Sequence, residues 1–366
     1  MLSQHTPFRQ LARVYAAVLS ISDSLAKISQ QAAMAPSPAP TLAPIPVAAE
    51  SPAVRQQLDA NSRDLASMAA RVERLETLVG HLRTQLASDA SRPFLIKSRV
   101  QGMEPFPFEI HRSGDAYIST QLEQTGSWEP LETEVVRRLC REGDYVLDIG
   151  GNIGWYSVVA AKTIGPTGRI MTFEPDPDNF RILSRNLEMI QGVQTLPRHA
   201  AVSDEEGTLK LYIDPENRGD HRIFDDGTER PYINVSTSTL DAMLADELRL
   251  PDLVKSDTQG SEARILRGAR ATFGRGWRPV LVMEFWPFGL TGSGDDPMAL
   301  WNDLVGLGYQ MFELTEEQPK MHVLTEQRVR EGLGSSMSPA SQGFINIVAI
   351  PQGSDRLASI QDLIAR

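Results

Sequence analysis

Two hydrophobic patterns divide the 366-residue chain. Near its start, Leu11, Val14, Val18, Ile21, Leu25 and Ile28 alternate three and four apart, so a helix gathers them into one narrow stripe. That spacing predicts an amphipathic helix within residues 1–31, fit for a partner or a membrane surface. Residues 32–53 are built from Ala and Pro. Proline has no N–H to give a helix, so this stretch reads as an extended, semi-rigid linker. A second stripe occupies residues 54–90. Leu58, Leu65, Val72, Val79 and Leu86 recur every seven, with Asn61, Met68, Leu75 and Leu82 at the other core position. Heptads with polar flanks predict a coiled coil, and with it a homo-oligomer. The alternative is a single amphipathic helix packed on the domain that follows.

From Phe94 the period changes. Short apolar runs alternate with helical stretches, which marks an α/β domain over residues 94–366 with a mostly parallel sheet. Strands are expected at 145–149, 169–173, 193–198, 253–257 and 279–285, and helices at 129–141, 155–164, 178–190, 238–248, 261–273 and 300–307. Residues 201–203 and 208–213 read as an added hairpin. Residues 310–314 and 344–350 supply two last strands, both antiparallel. The result is a doubly wound, Rossmann-like, seven-stranded sheet behind an N-terminal coiled-coil extension.

Charge narrows the possible partners. Lys and Arg number 36 against 47 Asp and Glu, a net charge of −11, whereas phosphate-backbone binding needs concentrated positive charge. Nucleic acid is therefore not an expected partner. The single cysteine, Cys140, excludes an intrachain disulfide and a cysteine-based zinc cluster, and the six histidines show no helical ligand spacing. No metal site is expected. No run approaches the roughly 18 uninterrupted apolar residues of a membrane span, so a cytoplasmic protein without a transmembrane segment is the expectation.

In a doubly wound sheet, ligands bind beyond the carboxyl ends of the strands, first of all at the turn after the leading strand. Here that turn is Gly150-Gly151-Asn152-Ile153-Gly154, preceded by Asp148. A carboxylate at the strand end repels the pyrophosphate of a dinucleotide but suits a ligand bearing an ammonium and a sulfonium. S-adenosylmethionine is such a ligand. Glycines let the backbone approach it, and Glu174, closing the second strand, is placed to take the ribose hydroxyls. The alternative is that Asp148 and Glu174 only cap the helices that follow them.

These residues resemble a known family. The run from Val146 through Asp148, Gly150, Gly151, Asn152 and Gly154 to Ser157 resembles the first motif of the FkbM-type methyltransferases. Phe173-Glu174-Pro175-Asp176-Pro177 is similar to their second-strand motif, and Ala200-Ala201-Val202-Ser203-Asp204 to the segment after the third strand. Lys255-Ser256-Asp257-Thr258-Gln259-Gly260-Ser261-Glu262 is similar to their most distinctive block, and Met283-Glu284-Phe285 to their acidic fifth-strand end. Ser256 departs from the family, which has an aliphatic residue there. The resemblance implies a class I methyltransferase fold, S-adenosylmethionine as cofactor, Pro175 among the cofactor-binding residues, and a hydroxyl acceptor on a polyketide, sugar or glycan.

A hydroxyl is a poor nucleophile while protonated, so a general base is expected. Asp257, closing the fourth strand, is the first candidate and Glu284 the second. His199 and His221 offer a resting pKa nearer neutrality. Asp257 has a structural alternative, holding its own loop or the Lys255 ammonium. Glu262 is expected to accept backbone N–H groups. The polar segment 218–230 is either an acceptor-recognition loop or a solvated linker. N-methylation of protein or an amino sugar, and a non-catalytic coiled-coil scaffold, are the competing functions; a nicotinamide-dependent oxidoreductase is disfavoured by Asp148.

Overall fold

The computed structural model describes Gln56 and residues 93–365 except Pro319. The helix of 1–31, the linker of 32–53 and, Gln56 apart, the coiled coil of 54–90 lie outside the described residues.

The strands in chain order are β1 (Leu95–Lys97), β2 (Pro107–Glu109), β3 (Tyr145–Ile149), β4 (Arg169–Phe173), β5 (Gln194–Arg198), β6 (Ala201–Val202), β7 (Gly207–Tyr212), β8 (Tyr232–Ser238), β9 (Leu253–Ser256), β10 (Val280–Phe285), β11 (Tyr309–Leu314), β12 (His322–Val323) and β13 (Ile345–Pro351). The main sheet runs β12-β11-β13-β10-β9-β3-β4-β5. From β10 to β5 every pairing is parallel. The sheet thus has eight strands rather than seven, because the two-residue β12 adds an edge beyond β11. Of the last two expected strands, only β13 runs against the parallel set. β11 pairs antiparallel with β13 and so returns to the parallel direction.

Alternation along each strand feeds two cores. Val146 in β3 and Val280 and Val282 in β10 join one apolar cluster, while Tyr145, Leu147, Ile149, Leu281, Met283 and Phe285 join the other. The first face is covered by helices Pro130–Leu139, Trp155–Ile164 and Pro177–Glu188 and by the 3-10 helix Asp355–Leu363; the second by Leu240–Met243, Glu262–Arg267, Arg270–Gly274, Pro297–Gly306 and Glu326–Leu333. A sheet covered on both faces favours largely apolar strands, and all five residues of β3 are buried, Asp148 included.

Three expectations fail locally. Residues 201–203 and 208–213 do not pair with each other: β6 runs parallel and β7 antiparallel to β8, which stands between them. The helix expected at 238–248 is one turn, Leu240–Met243, because Ser238 belongs to β8 and Thr239 caps the turn by accepting from Ala242 N at 3.1 Å. The helix expected at 261–273 breaks after Arg267. There Gly268 packs so closely that a Cβ would stand 2.1 Å from Ser203 O, and its carbonyl accepts from Asp241 N at 2.7 Å.

Candidate active site

The turn after β3 is held against the next strand. Gly150 and Gly151 both donate their N–H to Phe173 O, each at 2.9 Å. Gly150 has φ +79°, and a Cβ on it would lie 2.0 Å from the Asp257 carbonyl oxygen. Only glycine allows these strand ends to close up. Gly154 opens helix Trp155–Ile164 in the left-handed region with no side-chain cap, while Asp176 caps helix Pro177–Glu188. Neither Asp148 nor Glu174 is the capping residue of the helix that follows it.

Asp148 is buried and accepts from Ser157 Oγ at 2.5 Å; that hydroxyl lies 2.6 Å from Thr172 Oγ1. Burial, partly offset by Ser157, lifts its carboxyl to about 6. Glu174 accepts from Asn152 N at 2.8 Å and from Asp176 N at 2.7 Å. Burial pushes it up to about 8. Each carboxylate oxygen has two lone pairs, so both can still take a ribose hydroxyl.

Two adjoining cavities open here. One is a narrow slot lined by Ile149, Phe173, Glu174, Pro175, Val202 and Ile223. The other has a volume of about 480 Å³ and is walled by Asp148, Gly151, Tyr156, Lys255, Glu284 and Trp286, among others. Gly150, Asn152, Gly219, Asp257 and Gln259 belong to both. An apolar slot ending in a carboxylate fits an adenosine, and the acidic cavity beside it fits the charged end of the same ligand. These residues therefore fit S-adenosylmethionine: Glu174 and Pro175 at its nucleoside, Asp148 and the glycine turn at its amino-acid end. The segment 218–223 closes the slot. Arg218 O accepts from Asn152 Nδ2 at 2.8 Å and Asn179 Nδ2 at 3.1 Å. Arg222 pairs with Asp220 and Asp226 while lying 5.0 Å from the Trp286 ring. The polar insertion is therefore part of both cavity walls and no loose linker.

Asp257 is one-third exposed at the shared boundary, its Oδ2 3.6 Å from Lys255 Nζ. Gln259, held at φ +53°, donates from Nε2 to Asp257 Oδ1 at 3.1 Å and to Glu284 Oε1 at 3.2 Å. Glu284 is buried and its Oε2 has no partner. Burial, then the charges of Asp257 and Glu262, hold its carboxyl well above the ordinary value. Lys255 is buried beneath them, 2.8 Å from Glu132 Oε1 and 4.9 Å from the Tyr156 ring centroid. Burial pulls its ammonium down, but Glu132, Asp257 and Glu129 together hold it above its usual value. Glu132 accepts from Asn346 Nδ2 as well. Glu129, at φ +39°, accepts from Tyr156 Oη at 2.6 Å, and burial pushes it up to about 8.

The structure brings Asp148, Gly150, Gly151, Asn152, Glu174, Pro175, Asp257 and Glu284 to these cavities. Gly154 lines neither and shapes the turn. His199 lines neither as well: it is exposed, its Nε2 is 3.1 Å from Pro175 O, and it stacks on Phe180 at 4.9 Å. His221 lines the slot and accepts at Nδ1 from Asp214 N at 3.1 Å. Burial lowers its pKa, and so works against the charged form. Glu262 accepts from Thr258 N, Thr258 Oγ1 and Gly260 N, so it holds the loop after β9. Glu129, Glu132, Gln259 and Asn346 were not singled out by sequence reasoning. The two glutamates head a helix, where carboxylates are common, and Gln259 stood inside the recognised block without a role.

Fold and site together suit a cofactor-dependent methyltransferase domain. Residues 148–311, less than half of the chain, match the Methyltransferase FkbM domain, the family of S-adenosylmethionine-dependent methyltransferases that the sequence motifs resemble. The chain is 26% identical over 149 residues to Methyltransferase 1 of Beauveria bassiana, a match covering 35% of this chain and 59% of that protein. It is 25% identical over 179 residues to Methyltransferase sdnD of Sordaria araneosa, covering 40% and 68%. Among solved structures, Aeropyrum pernix fibrillarin with bound S-adenosyl-L-methionine aligns at 15% identity and a TM-score of 0.34, over 72% of this chain and 90% of that one. No helix among the described residues is long and apolar enough to cross a membrane.

Proposed function

We propose that the chain methylates a hydroxyl of a saccharide, glycan or related metabolite, in the cytoplasm, as a homo-oligomer joined through the coiled coil of 54–90. The observation that carries this reading is the place of Asp257, in the wall common to both cavities. Bound S-adenosylmethionine supplies an activated methyl group whose transfer leaves a neutral sulfide, so the acceptor's proton is left for the protein to take. Asp257 is positioned to take it, and a placed base contributes about 10²–10⁴ in rate. Gln259 fixes its orientation, and the Lys255 ammonium lies 3.6 Å from its Oδ2. Trp155, Tyr156 and Trp286 add aromatic surface to the cavity wall.

The test is transfer from methyl-labelled S-adenosylmethionine into fractionated cell extract. Label in an alkali-stable saccharide pool is the expected outcome. The carboxylates Glu129, Asp148, Asp257 and Glu284 around the cavity also suit an amine. Label confined to protein or amino sugar therefore replaces the hydroxyl with nitrogen, and cofactor binding without transfer to any pool favours a scaffold.

A further inference from the structure

Glu129 stands immediately before helix Pro130–Leu139, where a carboxylate ordinarily turns to the free N–H groups of the first turn. It makes no such bond. The N–H groups of Leu131 and Glu132 go instead to the Glu316 carboxylate, at 3.1 and 2.9 Å, from the loop between β11 and β12. The Glu129 backbone lies in the left-handed region, at φ +39° and ψ +73°, which strains any residue with a side chain. That turn is pinned by its surroundings. The Glu129 carbonyl accepts from Thr133 N at 2.8 Å, and Thr133 Oγ1 donates to Trp128 O at 2.6 Å while accepting from Trp155 Nε1 at 2.9 Å. The side chain thus leaves the helix end and joins the wall of the larger cavity.

There Oε2 accepts from Tyr156 Oη at 2.6 Å. Oε1 takes no hydrogen bond among the described residues and is not sealed in, since Glu129 is half-buried and the atom is not among the buried unpartnered ones. The Tyr156 ring centroid is 4.9 Å from Lys255 Nζ, itself 3.6 Å from Asp257 Oδ2, so Glu129 and Asp257 share one stretch of wall. Burial, then the charge of Glu132, push the Glu129 carboxyl up to about 8, as befits a carboxylate short of donors. Neither task the fold could set for Glu129 uses Oε1: Glu316 caps the helix, and the Tyr156 hydroxyl needs only Oε2.

We propose that Glu129 is an acceptor-binding residue whose Oε1 takes a hydrogen bond from an O–H or N–H of the acceptor, while Tyr156 holds Oε2. This rests on the methyl-transfer reading and adds a selection to it. An acceptor that brings no donor to that wall leaves the carboxylate unpaired, and a site built to bond a polar group discriminates strongly against a ligand lacking it.

Glycine adopts a positive φ freely, so Glu129→Gly separates what the side chain does for the fold from what it does for the acceptor. Its urea midpoint should equal or exceed that of wild type; a clearly lower one makes Glu129 a structural residue and overturns the proposal. Calorimetric titration with S-adenosylhomocysteine should give the wild-type affinity within about threefold, whereas a loss of about tenfold places Glu129 at the donor and also overturns it. Transfer from methyl-labelled S-adenosylmethionine is then followed into the pool that wild type labels, at varied pool concentration. Glu129→Gly should lose about tenfold or more in kcat/KM, chiefly through KM, and Glu129→Gln, whose amide oxygen still accepts, should recover part of that loss. A loss of about 10² in kcat at unchanged KM in Glu129→Gln would make Glu129 the proton acceptor and sink the assignment. A wild type that labels no pool removes the methyl-transfer reading itself, whereas a labelling wild type matched by Glu129→Gly removes the role of Glu129 alone.

Discussion

Replacing Lys255 by Met keeps most of the side chain's length and its apolar stem and removes the charge. Lys255 is 1% exposed and its partner Glu132 is 0% exposed, with 2.8 Å between Nζ and Oε1. Without the ammonium, Glu132 faces burial as a bare carboxylate or takes up a proton. Protonation is the smaller cost. A carboxyl of ordinary value 4.5 must be neutralised at about 1.4 kcal/mol per pH unit above that value, or about 3.4 kcal/mol at pH 7. That lies within the roughly 3–5 kcal/mol typical of a buried pair deprived of one partner. The sign follows from linkage. A carboxyl whose folded pKa is raised favours the folded state at low pH, and that contribution is lost as pH rises above its unfolded value. The variant should therefore lose about 0.7 kcal/mol at pH 5 and about 3.4 kcal/mol at pH 7, read by denaturant unfolding followed by circular dichroism. Adding Glu132→Gln removes the charge that has to be neutralised, so the double variant should recover most of the loss at pH 7. A loss below about 1 kcal/mol at pH 7, a loss independent of pH, or strict additivity of the two substitutions would refute the buried-pair argument.

Gly150→Ala places a methyl 2.0 Å from the Asp257 carbonyl at φ +79° and should cost more than about 2 kcal/mol; Gly274→Ala, with nothing within 4 Å, should be neutral or slightly stabilising in the same melts. Glu174→Gln should weaken S-adenosylhomocysteine binding at least tenfold by calorimetry, about 1.4 kcal/mol. Because ribose hydroxyls bond best to the ionised form of Glu174, held at about 8, wild-type affinity should rise with pH up to that value while the variant's stays flat. Ser256 buries an unpartnered hydroxyl in a hollow with Val254, Leu281 and Met283. Removing it in Ser256→Ala should raise stability by up to about 1 kcal/mol, and a loss of that size would contradict the assignment.

The parallel half of the sheet was legible because its buried strands are mostly apolar and bounded by turn residues: the observed bounds of β3 and β4 are those the pattern predicts. The residues of the cavity floor were legible for a related reason. Asp148, Gly150 and Glu174 stand at strand ends, and the strand pattern fixes where those ends lie. What failed depends on contacts between distant segments. Nothing local in Gly268 reveals that Ser203 will pack against it, and nothing in 201–213 reveals that β8 will come between the two strands. Glu132 and Lys255 are 123 positions apart, so their pairing could not be read from spacing. His199 attracted notice for its intrinsic pKa, yet a residue's chemistry says little about which way the chain presents it.

The walls of the larger cavity have an uneven origin. Asp148, Gly150 and Gly151 come from the β3 end and its turn, and Lys255 from β9, all clamped inside the parallel core. Tyr117, Trp128, Asp220, Arg222, Gln342 and Phe344 come from segments outside that core. Tyr117 and Phe344 are 59% and 52% exposed, so little packing constrains them. Substitution at Tyr117 or Phe344 would alter what the cavity admits without touching the glycine turn or the strand register. The wall thus joins a rigid part, clamped in the parallel core, to a loosely packed rim, so that the shape of the cavity mouth can be changed separately from its floor.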